Sequence, residues 1–160
     1  MKIIILYTSK YGTTEAVAVS IAEKLKETKD VELFSLNKNI PLNINEFEMV
    51  ILGSSVYMGQ VSKKMKVFCK EHESVLLQKK IALFVCGMDP DKEIQKKELK
   101  DAYPELLQQN AIAAEFLGGA FLFEKMNFFE RAIIKKIAKT TTSIQQIDWE
   151  AVDDFINKLN

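Results

Sequence analysis

The feature that most constrains this chain is a set of four short apolar runs, at 2–7, 49–52, 81–86 and 111–116, each nearly continuous instead of alternating. A strand that is apolar on both faces must be covered on both faces, the condition of a parallel sheet held between two layers of helices. A fifth run, 31–36, alternates in part and suits a sheet edge. Helical patterns lie between the runs. At 14–26, Val17, Ile21 and Leu25 recur every fourth residue, with Ala18 and Ala22 beside them on the same face. Segments 62–72 and 90–103 carry the next helices. Segment 148–159 carries the last, with Asp148 as its expected N-cap, Trp149 as an anchor and Val152, Phe155, Ile156 and Leu159 as its buried stripe.

Strands alternating with helices predict an α/β fold, a doubly wound five-stranded parallel sheet in the order 2-1-3-4-5. The 160 residues suit a single domain, 1–160, with no repeat or linker. One segment exceeds what the fold needs. Residues 118–147 separate the fifth strand from the last helix, where a short loop suffices. They carry a helical pattern at 127–139, so an extra helical insert before the last helix is expected.

Charge narrows the function classes. Lys plus Arg and Asp plus Glu are equal at 22 each, so no global field favours nucleic acid, and none is expected as a partner. Cys69 and Cys86 match no metal-ligand spacing and fit a reducing, cytoplasmic setting. His72 is the only histidine and lies in a polar helix, so a Ser-His-Asp triad or His-rich metal site is not expected. No apolar run approaches the ~20 residues of a membrane span.

The loop after the first strand reads Thr8, Ser9, Lys10, Tyr11, Gly12, Thr13, Thr14 and Glu15. In a doubly wound sheet this loop sits at the carboxyl edge, beside the switch in strand order. It leads into a helix N-terminus, whose unpaired amides and partial positive charge favour a phosphate. Ser9, Thr13 and Thr14 add hydroxyls, and Gly12 permits close backbone approach. The loop lacks the Gly-Lys-Ser/Thr ending of a P-loop and the three glycines of a dinucleotide fingerprint. The same Ser and Thr residues also suit plain helix capping.

Ile5, Leu6, Tyr7, Ser9, Gly12, Thr14, Ala18 and Ile21 occupy the positions of the flavodoxin signature, and this stretch resembles that family. Tyr11 stands where many members carry Thr. The resemblance implies a flavodoxin-like fold, an FMN cofactor with its phosphate in this loop, and electron transfer as the activity.

It also assigns two further loops to the flavin ring. After the third strand come Ser54, Ser55, Val56, Tyr57, Met58 and Gly59, where Tyr57 is the expected stacking aromatic and Met58 a competing ring contact. After the fourth come Cys86, Gly87, Met88 and Asp89. There the family commonly places an aromatic, and Met88 takes its position. Asp89 suits either a hydrogen bond from the ring or the turn that an Asp before Pro90 ordinarily makes.

In the insert and just after it, Gly118, Gly119 and Ala120, an aromatic stretch, a basic amphipathic segment and the late pair Asp148 and Trp149 resemble the protoporphyrinogen oxidase branch of the same superfamily. Two functions are therefore carried forward. One is an electron-transferring FMN protein serving redox partner proteins. The other is a flavoenzyme passing electrons to a small molecule or quinone acceptor, with peripheral membrane contact through residues 121–139.

Overall fold

The computed structural model describes residues 1–39, 41–121, 130–132 and 144–160. Its main sheet is formed by β1 (Lys2–Tyr7), β2 (Asp30–Ser35), β3 (Met49–Tyr57), β5 (Lys80–Cys86) and β6 (Ala111–Phe116), in the order β2-β1-β3-β5-β6. Neighbours in that order are parallel. A short strand β4 (Gln60–Val61) folds back antiparallel onto the end of β3. Without that addition, the order is the 2-1-3-4-5 expected from the apolar runs.

Two-sided burial has the anticipated cause. Ile3 and Ile5 pack with Val17, Ile21 and Leu25 of α1 (Thr13–Lys26) and with Val152, Phe155 and Ile156 of α5 (Trp149–Asn157). Ile4 and Leu6, pointing the other way, pack with Met65, Cys69 and Leu76 of α2 (Lys63–Leu76), Ala102 of α3 (Lys92–Ala102) and Leu107 of α4 (Glu105–Asn110). Adjacent residues of one strand thus feed two cores, as the period-two geometry of a strand requires. Tyr103 joins the central strands: its buried hydroxyl lies 2.6 Å from the Phe84 carbonyl and 2.9 Å from that of Leu52.

Asp148 caps α5, accepting from the Ala151 amide at 2.9 Å, as its sequence position predicts. Trp149 does not anchor the helix; it is 47% exposed, and Val152, Phe155 and Ile156 hold the helix instead. The expected insert is closed at its base by β7 (Gly118–Phe121) and β8 (Ile144–Ile147), paired antiparallel from Gly118 opposite Ile147 to Phe121 opposite Ile144. Of the helix expected at 127–139, residues 130–132 are helical and the remainder lies outside the described residues. Among the described residues no helix is long and apolar enough to cross a membrane.

Candidate functional site

Parallel pairing decides where the site falls. Tyr7 pairs with Gly53, Gly53 with Phe84 and Ser55 with Cys86, so β1, β3 and β5 end at one edge and release their loops side by side. Between those loops lies a cavity of about 600 Å³. Its lining includes Ser9, Lys10, Tyr11, Thr13 and Thr14 from the first loop, Ser55, Val56, Tyr57, Met58 and Gly59 from the second, and Cys86, Gly87, Met88 and Asp89 from the third. Thr8, Gly12 and Ser54 are not among the residues that line it.

The first loop is held from several sides. The Thr8 amide donates to the Gly53 carbonyl at 2.9 Å, the Asn37 amide group donates to the Ser9 carbonyl at 2.8 Å, and the Gly12 amide donates to Ser9 Oγ at 3.0 Å. The Tyr7 hydroxyl donates to Glu15 Oε1 at 2.9 Å; burial, then that carboxylate, pushes the phenol up to about 12. Gly12 takes φ 94°, a left-handed conformation that suits glycine. As the N-cap of α1 it offers no side chain, and its carbonyl accepts from the Ala16 amide at 2.9 Å. Ser9 Oγ is thus engaged by the Gly12 amide, while Thr13 and Thr14 line the cavity at the start of the helix.

Lys10 bridges this loop to the insert, with Nζ 3.0 Å from Glu130 Oε2. The same ammonium stands 3.9 Å from the Tyr57 ring centroid and 5.3 Å from that of Tyr11, and the two rings meet edge to face at 5.5 Å. Among the described residues the phenol oxygens of Tyr11 and Tyr57 are buried without a hydrogen-bond partner, as is Thr8 Oγ1. Buried polar atoms are ordinarily satisfied, so orphans gathered at a cavity mark where a polar ligand would be held.

The second loop is a tight hairpin. Tyr57 pairs with Gln60, leaving Met58 and Gly59 as the turn, with φ of 50° and 72°. Two positive angles in succession match the hairpin turn whose twist suits its strands. In the third loop, Asp89 Oδ1 accepts from the Asp91 amide at 2.9 Å, so one oxygen serves the turn before α3. Asp91 itself caps that helix, accepting from the Glu93 and Ile94 amides. Burial pushes the Cys86 thiol up to about 12, leaving it a neutral wall residue with the Thr14 hydroxyl beside it.

The cavity has a further wall absent from the sequence expectations: Pro90, Glu98, Gly119, Ala120 and Gln146. Gly119 presses its backbone against Gly87, so closely that a Cβ there would stand 2.6 Å from the Gly87 carbonyl oxygen. The adjacent Gly118 and Gly119 were the available signal for such an approach. Glu98 falls four residues before the fully buried Ala102, on the inner face of α3. No group able to hold a metal ion is present among the described residues.

Residues 4–148 match the family model described as a flavodoxin domain. A protein named protoporphyrinogen IX dehydrogenase (quinone) from Leishmania major is 26% identical over 96% of this chain and 72% of its own length. A flavodoxin from Clostridium saccharobutylicum is 35% identical over 51% of this chain and 52% of its own. Among solved structures, a flavoprotein from Lactobacillus acidophilus NCFM in complex with FMN superposes with a TM-score of 0.55 at 17% identity, covering 72% of this chain and 92% of that one. A family model spanning nearly the whole sequence, on the strand order and three-loop edge described above, places this chain in the flavodoxin domain family.

Proposed function

We propose that the cavity holds FMN non-covalently and that the protein transfers electrons through it. The observation carrying this reading is the convergence, at one sheet edge, of a helix N-terminus that starts on a glycine with a ~600 Å³ cavity containing buried phenols that have no hydrogen-bond partner among the described residues. That volume lies within the roughly 300–1,000 Å³ of small-molecule sites. The hydroxyls of Ser9, Thr13 and Thr14, with the amides following Gly12, would hold the phosphate, and Lys10 adds positive charge. Thr8, Tyr11 and Ser54 complete the loops' support. Ser55, Val56, Tyr57, Met58 and Gly59 would take one side of the ring. Cys86, Gly87, Met88 and Asp89 would take the other, chiefly through the backbone of Gly87 and Met88.

Bound FMN supplies one- and two-electron chemistry; the protein supplies binding, orientation and charge. The two free, buried cysteines fit a reducing cytoplasm, and residues 1–160 are read as one unit.

A second reading has its own support. The Leishmania relative matches 96% of this chain, insert included, whereas the clostridial flavodoxin matches 51%. On that reading the insert forms the surface for a quinone or other small-molecule acceptor, with peripheral membrane contact through 121–139. The expected contact segment lies largely outside the described residues.

The deciding experiment is the visible spectrum of freshly purified protein, with released cofactor identified after denaturation. Flavin bands and stoichiometric FMN are expected. A colourless protein that takes up no added FMN overturns the reading. Oxidation of a reduced protein by quinone in liposomes, lost when Phe128 and Phe129 are replaced, separates the second reading from the first.

A further inference from the structure

Glu98 is an anomaly on α3. The surrounding residues Lys96, Lys97 and Lys100 make the helix look like a solvated polar face, yet Glu98 is only 6% exposed. Its carboxylate lines the cavity, with Oε2 buried and without a hydrogen-bond partner among the described residues. Oε2 lies directly beneath the third loop: a Cβ on Gly87 would stand 3.2 Å from it. An unpaired buried carboxyl is costly, and it persists here against the loop proposed to take one side of the flavin ring.

Among the described residues the charges that face it are few. From the third loop, Asp89 opposes ionisation. On its own helix Lys97 favours ionisation and Asp101 opposes it, and these two are paired with each other. β4 contributes Gln60 and Val61 and no charge. β5 contributes the neutral Cys86 thiol. β6 turns Ala114 and Phe116 toward the helix, while Glu115 is paired with Lys158. β7 brings Gly119 and Ala120. With burial as the leading cause and Asp89 next, the carboxyl is pushed up to about 6.

We propose that Glu98 is a redox-linked proton site, binding one solvent proton when the flavin in this cavity gains negative charge and releasing it on reoxidation. The inference rests on the FMN reading above. The balance is simple. An external one-electron donor is oxidised, the flavin is reduced by that electron, and a solvent proton forms an O–H bond at a Glu98 carboxyl oxygen. No covalent bond to the flavin forms or breaks. A new negative charge in a confined site raises the proton affinity of a neighbouring carboxylate, and by reciprocity protonation of that carboxylate makes reduction easier.

The test is a redox titration of FMN-loaded wild type and Glu98→Gln across pH, with the oxidised-minus-reduced infrared spectrum of each. In wild type the lower flavin potential should fall as pH rises through and above about 6. The slope should approach ~59 mV per tenfold change in proton concentration. Glu98→Gln should lack that component and the protonated-carboxyl band appearing on reduction. Identical pH profiles in the two proteins, or no carboxyl band in wild type, overturn the proposal. Should Glu98→Gln fail to hold FMN, Glu98→Met also removes the titrating group, and the wild-type infrared band still decides. Failure of wild type to bind FMN is a separate result, visible beforehand as unquenched flavin fluorescence, and counts against the parent reading.

Discussion

Replacing Gly119 by alanine tests whether the base of the insert is part of the flavin site. The added Cβ would stand 2.6 Å from the Gly87 carbonyl oxygen, 2.8 Å from its carbon and 3.2 Å from its nitrogen. Carbon contacts settle near ~3.5–4.0 Å, and all three of these atoms are backbone, so β7 and the third loop must part by roughly 1 Å. The Gly87 amide, donating to the Gly118 carbonyl at 3.0 Å, would then lose its geometry. Such a bond contributes about 0.5–1.5 kcal/mol. Forced overpacking costs ~1–3 kcal/mol on its own.

Gly87 belongs to the cavity wall, so a share of that cost must appear in binding. If the share is about 1.4 kcal/mol, FMN binds roughly tenfold more weakly. The assay is an FMN titration by fluorescence quenching, paired with urea denaturation of the FMN-free protein. The expected result is affinity lowered roughly tenfold and stability lowered by ~1–3 kcal/mol. Stability lost with affinity unchanged would detach the insert's base from the site. No change in either measurement would refute the packing argument altogether.

Tyr103→Phe should cost ~1–3 kcal/mol, because the Phe84 and Leu52 carbonyls lose a buried donor. Thermal melting should register about 2–4 °C per kcal/mol for a chain this size. Met58→Asn should stabilise the FMN-free protein by about 0.5–1 kcal/mol in urea, since Asn tolerates the positive φ that Met58 now holds at 50°. Glu98→Gln should also change the pH dependence of stability. The folded carboxyl at about 6 lies above its ordinary 4.5, so the folded state binds more protons and wild type loses stability as pH rises from 4.5 through about 6. The Gln variant should therefore gain on wild type at pH 8, with the gap closing below pH 4.5; denaturant midpoints at several pH values give the answer.

Much of this was legible in the sequence because the sheet is buried on both faces. The run at 111–116 coincides with β6, and the run at 2–7 with β1. The third strand was not fully readable: the apolar run stops at Leu52, but β3 continues to Tyr57. Gly53 lies within it because the Phe84 ring of the next strand occupies the place of a side chain, and a Cβ on Gly53 would stand only 2.1 Å from that ring. That requirement comes from another strand, and no local pattern carries it. The hairpin at Met58 and Gly59 was equally hidden, since Asn-Gly is the usual signal and Met is an unfavourable residue for the first position. Glu98 was concealed among lysines; only its phase relative to Ala102 distinguishes it from a solvated acid. The first loop was readable because one short segment contains the strand end, the turn and the helix start.

The ladder joining Gly118 to Ile147 and Phe121 to Ile144 gives the insert the properties of an attachment point. Whatever lies between the two strands leaves and returns at one place, so its length and sequence can vary while the stem keeps its register. Doubling such a loop adds only about 0.6 kcal/mol of closure entropy. A lineage, or an engineer, can therefore exchange the carried segment for a different one, provided the two glycines of the stem are left in place.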